Sequence, residues 1–262
     1  IIKYLNLVRN VSAELQLLPN VEGFWQHLTI PFRTKNMGKY ALFSLKRVID
    51  WHIKDPLLKK ILNIQFGDHG LAPSKASFPL HCAVMDHYFN GGFYPCGGGA
   101  AIVKAMTNAV KKHGSEVRTK QSVKKILLEG ERKKTAVGVE LESGEKLFAK
   151  RIISNADPNI TYQKLIGEEN LSRKLKKKLS KTTYSCTSLM LFLTVAMDLR
   201  AAGMDSGNIW LMPNEDMDVV YERMMIPDVT TDAAFEGMFI SCTTLKDPSS
   251  FDGKHHSIEA IT

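Results

Sequence analysis

Residue types able to do chemistry are sparse in this chain, and the densest is a run of three glycines. Gly97, Gly98 and Gly99 lie in FYPCGGGAAIVKAMTNAVKKHG, where a helical pattern begins. A helix start presents unpaired N–H groups and the positive end of a dipole, so its natural ligand is an anion such as a phosphate. Spacing argues against two nucleotide patterns. The dinucleotide fingerprint G-x-G-x-x-G needs glycine where Ile102 stands and a buried strand before it. Phe93-Tyr94-Pro95 is a poor central strand, because proline cannot donate to a ladder. The P-loop needs Gly-Lys-Ser/Thr, which does not follow. The favoured alternative is structural: glycines that let the backbone turn sharply where two parts of a fold meet.

Other candidates are thinner. Asp157, Asp205, Asp216 and Asp218 are acids by type, but nothing in the sequence gathers them, so the catalytic residues stay unassigned. Cys82, Cys96, Cys186 and Cys242 form no C-x-x-C pair, and His81, His87 and His255-His256 form no H-E-x-x-H. No metal site is expected, and the scattered thiols fit a reduced, intracellular setting.

The elements that must position these residues follow from periodicity. With 262 residues, 44% of them hydrophobic, the chain can build one large or two small domains. It begins Ile1-Ile2-Lys3 and ends on a β-like run, which reads as a segment of a longer protein. Residues 1–80 are mostly helical in pattern. Asp55 caps a helix with Pro56 at its first position, and Gly67 is its expected stop. Val103, Met106 and Val110 predict a helix from about Gly98 to His113. From Glu116 the period becomes two. SVKKILLE, TAVGVELE and EKLFAK predict an antiparallel meander over 116–150, with turns at Gly130–Lys133 and Ser143-Gly144. RIISNADP predicts a short strand ending in a turn, TSLMLFLTVAM (187–197) a strand buried on both faces, and GMFISCTTLKDPSS, from Gly237, a strand ending in a Lys-Asp-Pro turn.

Net charge is +8, much of it in SRKLKKKLSK. Leu171, Leu175 and Leu179 lie four apart, predicting one amphipathic helix over 168–181. A solvated surface helix is favoured over peripheral contact with anionic lipid headgroups. No nucleic-acid motif accompanies the charge, and no apolar run reaches the 18 residues or so needed to span a bilayer.

In their order, D-P-L-L-K-K-I-L, G-L-A-P, G-G-F-Y-P-C-G-G-G, a helix closing on H-G, a meander with V-x-x-I, I-S-N-A-D-P and S-C-T-T-L-K-D-P resemble the middle of the phytoene desaturase family, which includes carotenoid isomerases and retinol saturases. The resemblance implies an FAD-dependent oxidoreductase of α/β class, with a Rossmann-like FAD domain built from separate segments and an α+β substrate domain whose mixed sheet is covered by helices. It divides the chain into 1–92 (substrate domain, first part), 93–163 (middle of the FAD domain) and 164–262 (substrate domain, second part). It places Val123 against the adenine, Asn155 and Ala156 in the turn beside the dinucleotide, and Tyr94, Gly97 and Gly98 at the crossover near the cofactor. It implies an apolar carotenoid- or retinoid-like substrate. A flavoenzyme of the amine-oxidase type with a polar substrate, and a non-catalytic binding relative, stay open beside it.

Overall fold

The computed structural model describes residues 1–20, 24–131, 133–185, 187–213, 215–225 and 237–262. They form two compact units, residues 1–103 with 185–262, and residues 104–184.

The first unit opens with seven helices: α1 (Ile2–Leu15), α2 (Phe24–Arg33), α3 (Lys35–Tyr40), α4 (Leu45–His52), α5 (Pro56–Asn63), α6 (Phe66–His69) and α7 (Phe78–Phe89). Tyr4, Val8 and Val11 recur at helical spacing and bury one face of α1 against Val48, Ile49 and Phe78. Side chains of Ser44, Asp55 and Ser77 accept from the amides of Arg47, Leu58 and Leu80, so α4, α5 and α7 each begin on a satisfied cap. Asp55-Pro56 starts α5 as expected. Gly67 does not stop it. The helix ends at Asn63, Gly67 lies inside α6, and the left-handed stop is Gly70, at φ 60°.

Helix α8 (Gly98–Lys112) leads into the second unit, whose sheet is the expected meander. Strands β1 (Val123–Glu129), β2 (Thr135–Leu141) and β3 (Lys146–Phe148) pair antiparallel in that order. Ile126 pairs with Val139, and Val139 with Leu147. Arg132, in the first turn, lies outside the described residues. The expected strand in RIISNADP is absent. Residues 151–154 join no ladder among the described residues, and Ile153 is 94% exposed. An apolar run becomes a strand only where another strand offers its backbone groups. A π-helical stretch (Ile160–Gly167) and a 3-10 turn (Glu168–Asn170) follow, then α9 (Arg173–Leu179). The single helix expected over 168–181 is therefore broken. Leu171 is extended, and Ser172 restarts the helix by accepting from the Leu175 amide at 3.2 Å. Leu171 and Leu175 are half-buried and Leu179 is buried, while Lys174, Lys176, Lys177 and Lys178 stay exposed.

The chain then returns to the first unit with β4 (Met190–Val195), β5 (Ile209–Leu211), α10 (Met217–Met224), β6 (Met238–Cys242), α11 (Thr243–Lys246) and β7 (His256–Ile261). The sheet order is β4-β7-β6-β5, antiparallel throughout. The strand expected to run from Gly237 into the Lys-Asp-Pro turn stops at Cys242, and α11 intervenes before that turn. Strand β4 was expected to be buried on both faces. It is instead a shorter edge strand with Leu191 39% and Phe192 71% exposed, and Val195, beside Leu199 and Cys242, is its one partly buried residue. Helices and strands are both present as expected of the fold class, but the mixed sheet expected of the substrate domain is corrected: every ladder between described strands is antiparallel, because neighbours run in opposite directions along the sheet.

Candidate functional site

The glycine run is a sharp turn whose Gly97 amide already bonds an anionic group of the chain. Gly97 and Gly98 have φ of 82° and 64°, a region that side-chain-bearing residues rarely adopt. A Cβ on Gly98 would sit 3.2 Å from the Tyr94 hydroxyl. Just before α8, the Gly97 amide donates to Asp247 Oδ2 at 2.6 Å. Asp247 is only 6% exposed and also accepts from the amide and hydroxyl of Ser249. The Ser249 hydroxyl and the Gly97 amide together hold its carboxyl below the usual range. The charge drawn to this turn is the chain's own, supplied by the K-D-P motif.

Within the second unit, Ala156 lines a hollow of 330 Å³ together with Ile126, Ser154, Thr161 and Tyr162. Ser154 and Thr161 share a hydrogen bond of 2.7 Å, and the Asp157 carboxylate accepts from the amides of Asn159 and Ile160 and from the Tyr184 hydroxyl. These bonds fix the Asn155–Pro158 turn and leave Asn155 and Ala156 exposed. Val123 lies three residues from Ile126 along β1, paired with Leu141, and does not line that hollow.

The acids singled out by type are structural. Asp157 Oδ1 accepts from the Asn159 and Ile160 amides where the π-helical stretch begins. Asp205 Oδ1 accepts from the Gly207 amide at 2.7 Å, closing a turn. Asp216 caps α10 and, with Asp218, holds Lys46 at 3.0 and 2.8 Å, while Asp218 also accepts from the Ser74 amide.

The principal cleft belongs to the first unit. Two hollows of 620 and 700 Å³ share Tyr88, Asn208, Trp210 and Phe239. One side comes from α6 and α7 through Phe66, Asp68 and Tyr88, and the other from the sheet. Trp210 of β5 faces Phe239 of β6 across the ladder, edge to face at 4.8 Å. Met212, Met224 and Met238 complete an apolar wall of pliable side chains. At the rim, the Tyr88 hydroxyl donates to Asp68 Oδ2 at 3.1 Å. Loss of water raises the Asp68 carboxyl above its ordinary range, and burial with the Asp68 charge pushes Tyr88 up to about 12. His69 Nε2 lies 3.4 Å from Nδ1 of the fully buried His81, which burial depresses to about 3 and so keeps neutral. Sequence reasoning passed over this group by treating FGDHG as a helix end. The available signal was an acid and a histidine held between two glycines.

Among the described residues no cluster of three or more His, Cys, Asp or Glu is placed to hold a metal, and no helix is long and apolar enough to cross a membrane.

This architecture is that of an oxidoreductase of known structure. An oxidoreductase from Methanosarcina mazei superposes with a TM-score of 0.63 at 19% identity, covering 94% of this chain and 54% of that one. Residues 45–191, more than half of the chain, match the family described as flavin containing amine oxidoreductase, and the chain belongs to that family. It is 28% identical over 217 residues to the all-trans-retinol 13,14-reductase of Danio rerio, covering 81% of this chain and 35% of the relative. It is 31% identical over 246 residues to prolycopene isomerase 1, chloroplastic, of an Oncidium hybrid cultivar, covering 91% and 38%. The chain therefore spans just over a third of the length of these relatives. They fall in the phytoene desaturase-like group that the motif order resembles.

Proposed function

We propose that the chain is the central part of an FAD-dependent oxidoreductase that desaturates, saturates or isomerises C=C bonds of a carotenoid- or retinoid-like polyisoprenoid. The observation that carries this reading is the cleft, an extended hollow walled by Trp210, Phe239, Phe66 and methionines, of the size that small-molecule sites have. Polyenes need shape and apolar contact, with the flavin supplying the electron transfer. The named activities of the relatives support the substrate class.

In this reading residues 93–163 are the middle of the FAD domain, and 1–92 with 164–262 form the substrate domain. Val123, Asn155 and Ala156 would flank the adenosine end, since the fixed turn leaves Asn155 and Ala156 exposed. Tyr94, Gly97 and Gly98 would form the crossover, with no role in seating the pyrophosphate, because Asp247 occupies the Gly97 amide. We place the protein inside the cell, and 168–181 is the stretch that would make a peripheral membrane contact.

The test is conversion by the purified full-length, flavin-loaded protein. Incubation with all-trans and with cis polyenes should change either the length of conjugation or the cis/trans geometry, read by chromatography and absorbance. Turnover of polar amines with no polyene product would move the protein to the amine-oxidase reading. Absence of flavin would favour the non-catalytic one.

A further inference from the structure

The cleft sets neutral polar residues such as Asn208 and Ser241 among its apolar ones, and Asp68 is the one carboxylate among the described residues that line it. Asp68 follows the buried Phe66 in α6, and Tyr88 lies near the end of α7, so two helices bring the pair together at the rim. The Tyr88 hydroxyl spends its proton on Asp68 Oδ2. Its oxygen keeps acceptor capacity, and Asp68 Oδ1 has no side-chain partner among the described residues. The arrangement therefore offers acceptors to an incoming donor. Asp68 is costly where it stands, since its own desolvation already works against its charge. The histidines behind it do not supply a strong cation, because burial keeps His69 and His81 toward the neutral form.

Resting on the polyisoprenoid reading, we propose that Asp68 and Tyr88 are specificity-determining residues that seat the terminal hydroxyl of a substrate whose remaining length lies along Trp210, Phe239 and the methionine wall. The dyad accepts the hydroxyl proton at Asp68 Oδ1. It prefers an alcohol to the matching hydrocarbon, which offers no donor, and to an aldehyde, which would set a carbonyl oxygen against a carboxylate. A hydrogen bond to a charged group at a partly solvated rim corresponds to about a tenfold preference.

The experiment uses the full-length, flavin-loaded protein. Dissociation constants are measured by tryptophan fluorescence quenching for an all-trans polyene alcohol and for the same polyene carrying methyl in place of hydroxymethyl. Wild type should bind the alcohol about tenfold more tightly. Asp68→Ala and, separately, Tyr88→Phe should erase most of that preference and leave hydrocarbon affinity unchanged, which also shows that the variants are folded. Phe239→Ala should weaken both ligands together. Equal affinities in wild type, or equal losses for both ligands in the dyad variants, would overturn the proposal and leave the polyene reading standing. Failure of wild type to bind either polyene would sink the polyene reading and this proposal with it.

Discussion

At Gly97 and Gly98 the backbone conformation decides what the side chain must be. Gly97→Ala forces a Cβ into φ 82° and toward Ala101 Cβ at 3.3 Å, so it should cost about 1–2 kcal/mol. Gly99→Ala lies in the first turn of α8 with open space around it, and should be neutral or stabilising by up to ~1 kcal/mol. Urea denaturation of the two variants checks this, and equal losses would remove the conformational account. His81 gives the pH counterpart. Its folded pKa of about 3 lies below the ordinary value near 6.5, so the unfolded chain binds the extra proton between them. Stability from this group is complete above about pH 6.5 and falls as pH drops, by about 2 kcal/mol from pH 7 to pH 5. His69, also lowered by burial, acts in the same direction, while the raised carboxyl of Asp68 acts oppositely at the acid end. His81→Leu should flatten the profile of urea midpoints between those pH values; a slope equal to wild type would exclude His81 as its source. The sharp turn at Gly97 and Gly98 was legible because φ above zero selects glycine. The Asp68–Tyr88 pair was not, because its members are twenty positions apart and meet only once two helices pack.

Elements with local signals came through, and those governed by distant partners did not. The Asp55-Pro56 start of α5, the helix after the glycines and the β1–β3 meander are each specified by caps, period and turns within a few residues. Strand β4 has an apolar sequence that alone cannot tell a covered strand from an exposed edge. The stretch 151–154 has strand composition and no ladder. In 168–181 the leucine spacing is helical, yet Ser172 is a better cap than an interior residue, and capping interrupts the pattern. The break bears on membranes. A lipid-binding helix buries its apolar face in the interface, and here Leu175 and Leu179 turn inward, leaving a short lysine face. Changing Lys174, Lys176, Lys177 and Lys178 to Ala should therefore leave flotation with anionic vesicles unaltered. A clear loss of flotation would establish a purely electrostatic contact.

At the scale of the whole molecule, the order of motifs identified the family although no single motif did, because order and spacing together reflect one topology. The same topology limits what this stretch can do by itself. Pyrophosphate binds where a glycine-rich turn leads from a buried strand into a helix whose amides are free. The glycine run here follows Phe93-Tyr94-Pro95, which is not a strand, and the Gly97 amide is bonded to the buried Asp247 carboxylate. A second anion there would meet that carboxylate as a like charge. On the proposed assignment, a dinucleotide would have the neighbourhood of Val123 and the turn at Asn155 and Ala156, where the nearest cations along β1, Lys124 and Lys125, are already paired with Glu140. Imperfectly paired charge lost from water costs affinity. The full-length protein should accordingly purify with FAD bound, whereas residues 1–262 alone should be colourless and fail to take up FAD in a titration followed by flavin fluorescence. A yellow, stoichiometrically loaded segment would show that the glycine turn gives up Asp247 to receive the cofactor. In that case Asp247→Ala should tighten FAD binding to the segment, because the competing carboxylate is gone; weaker binding would show that Asp247 instead holds the turn in the shape the cofactor needs.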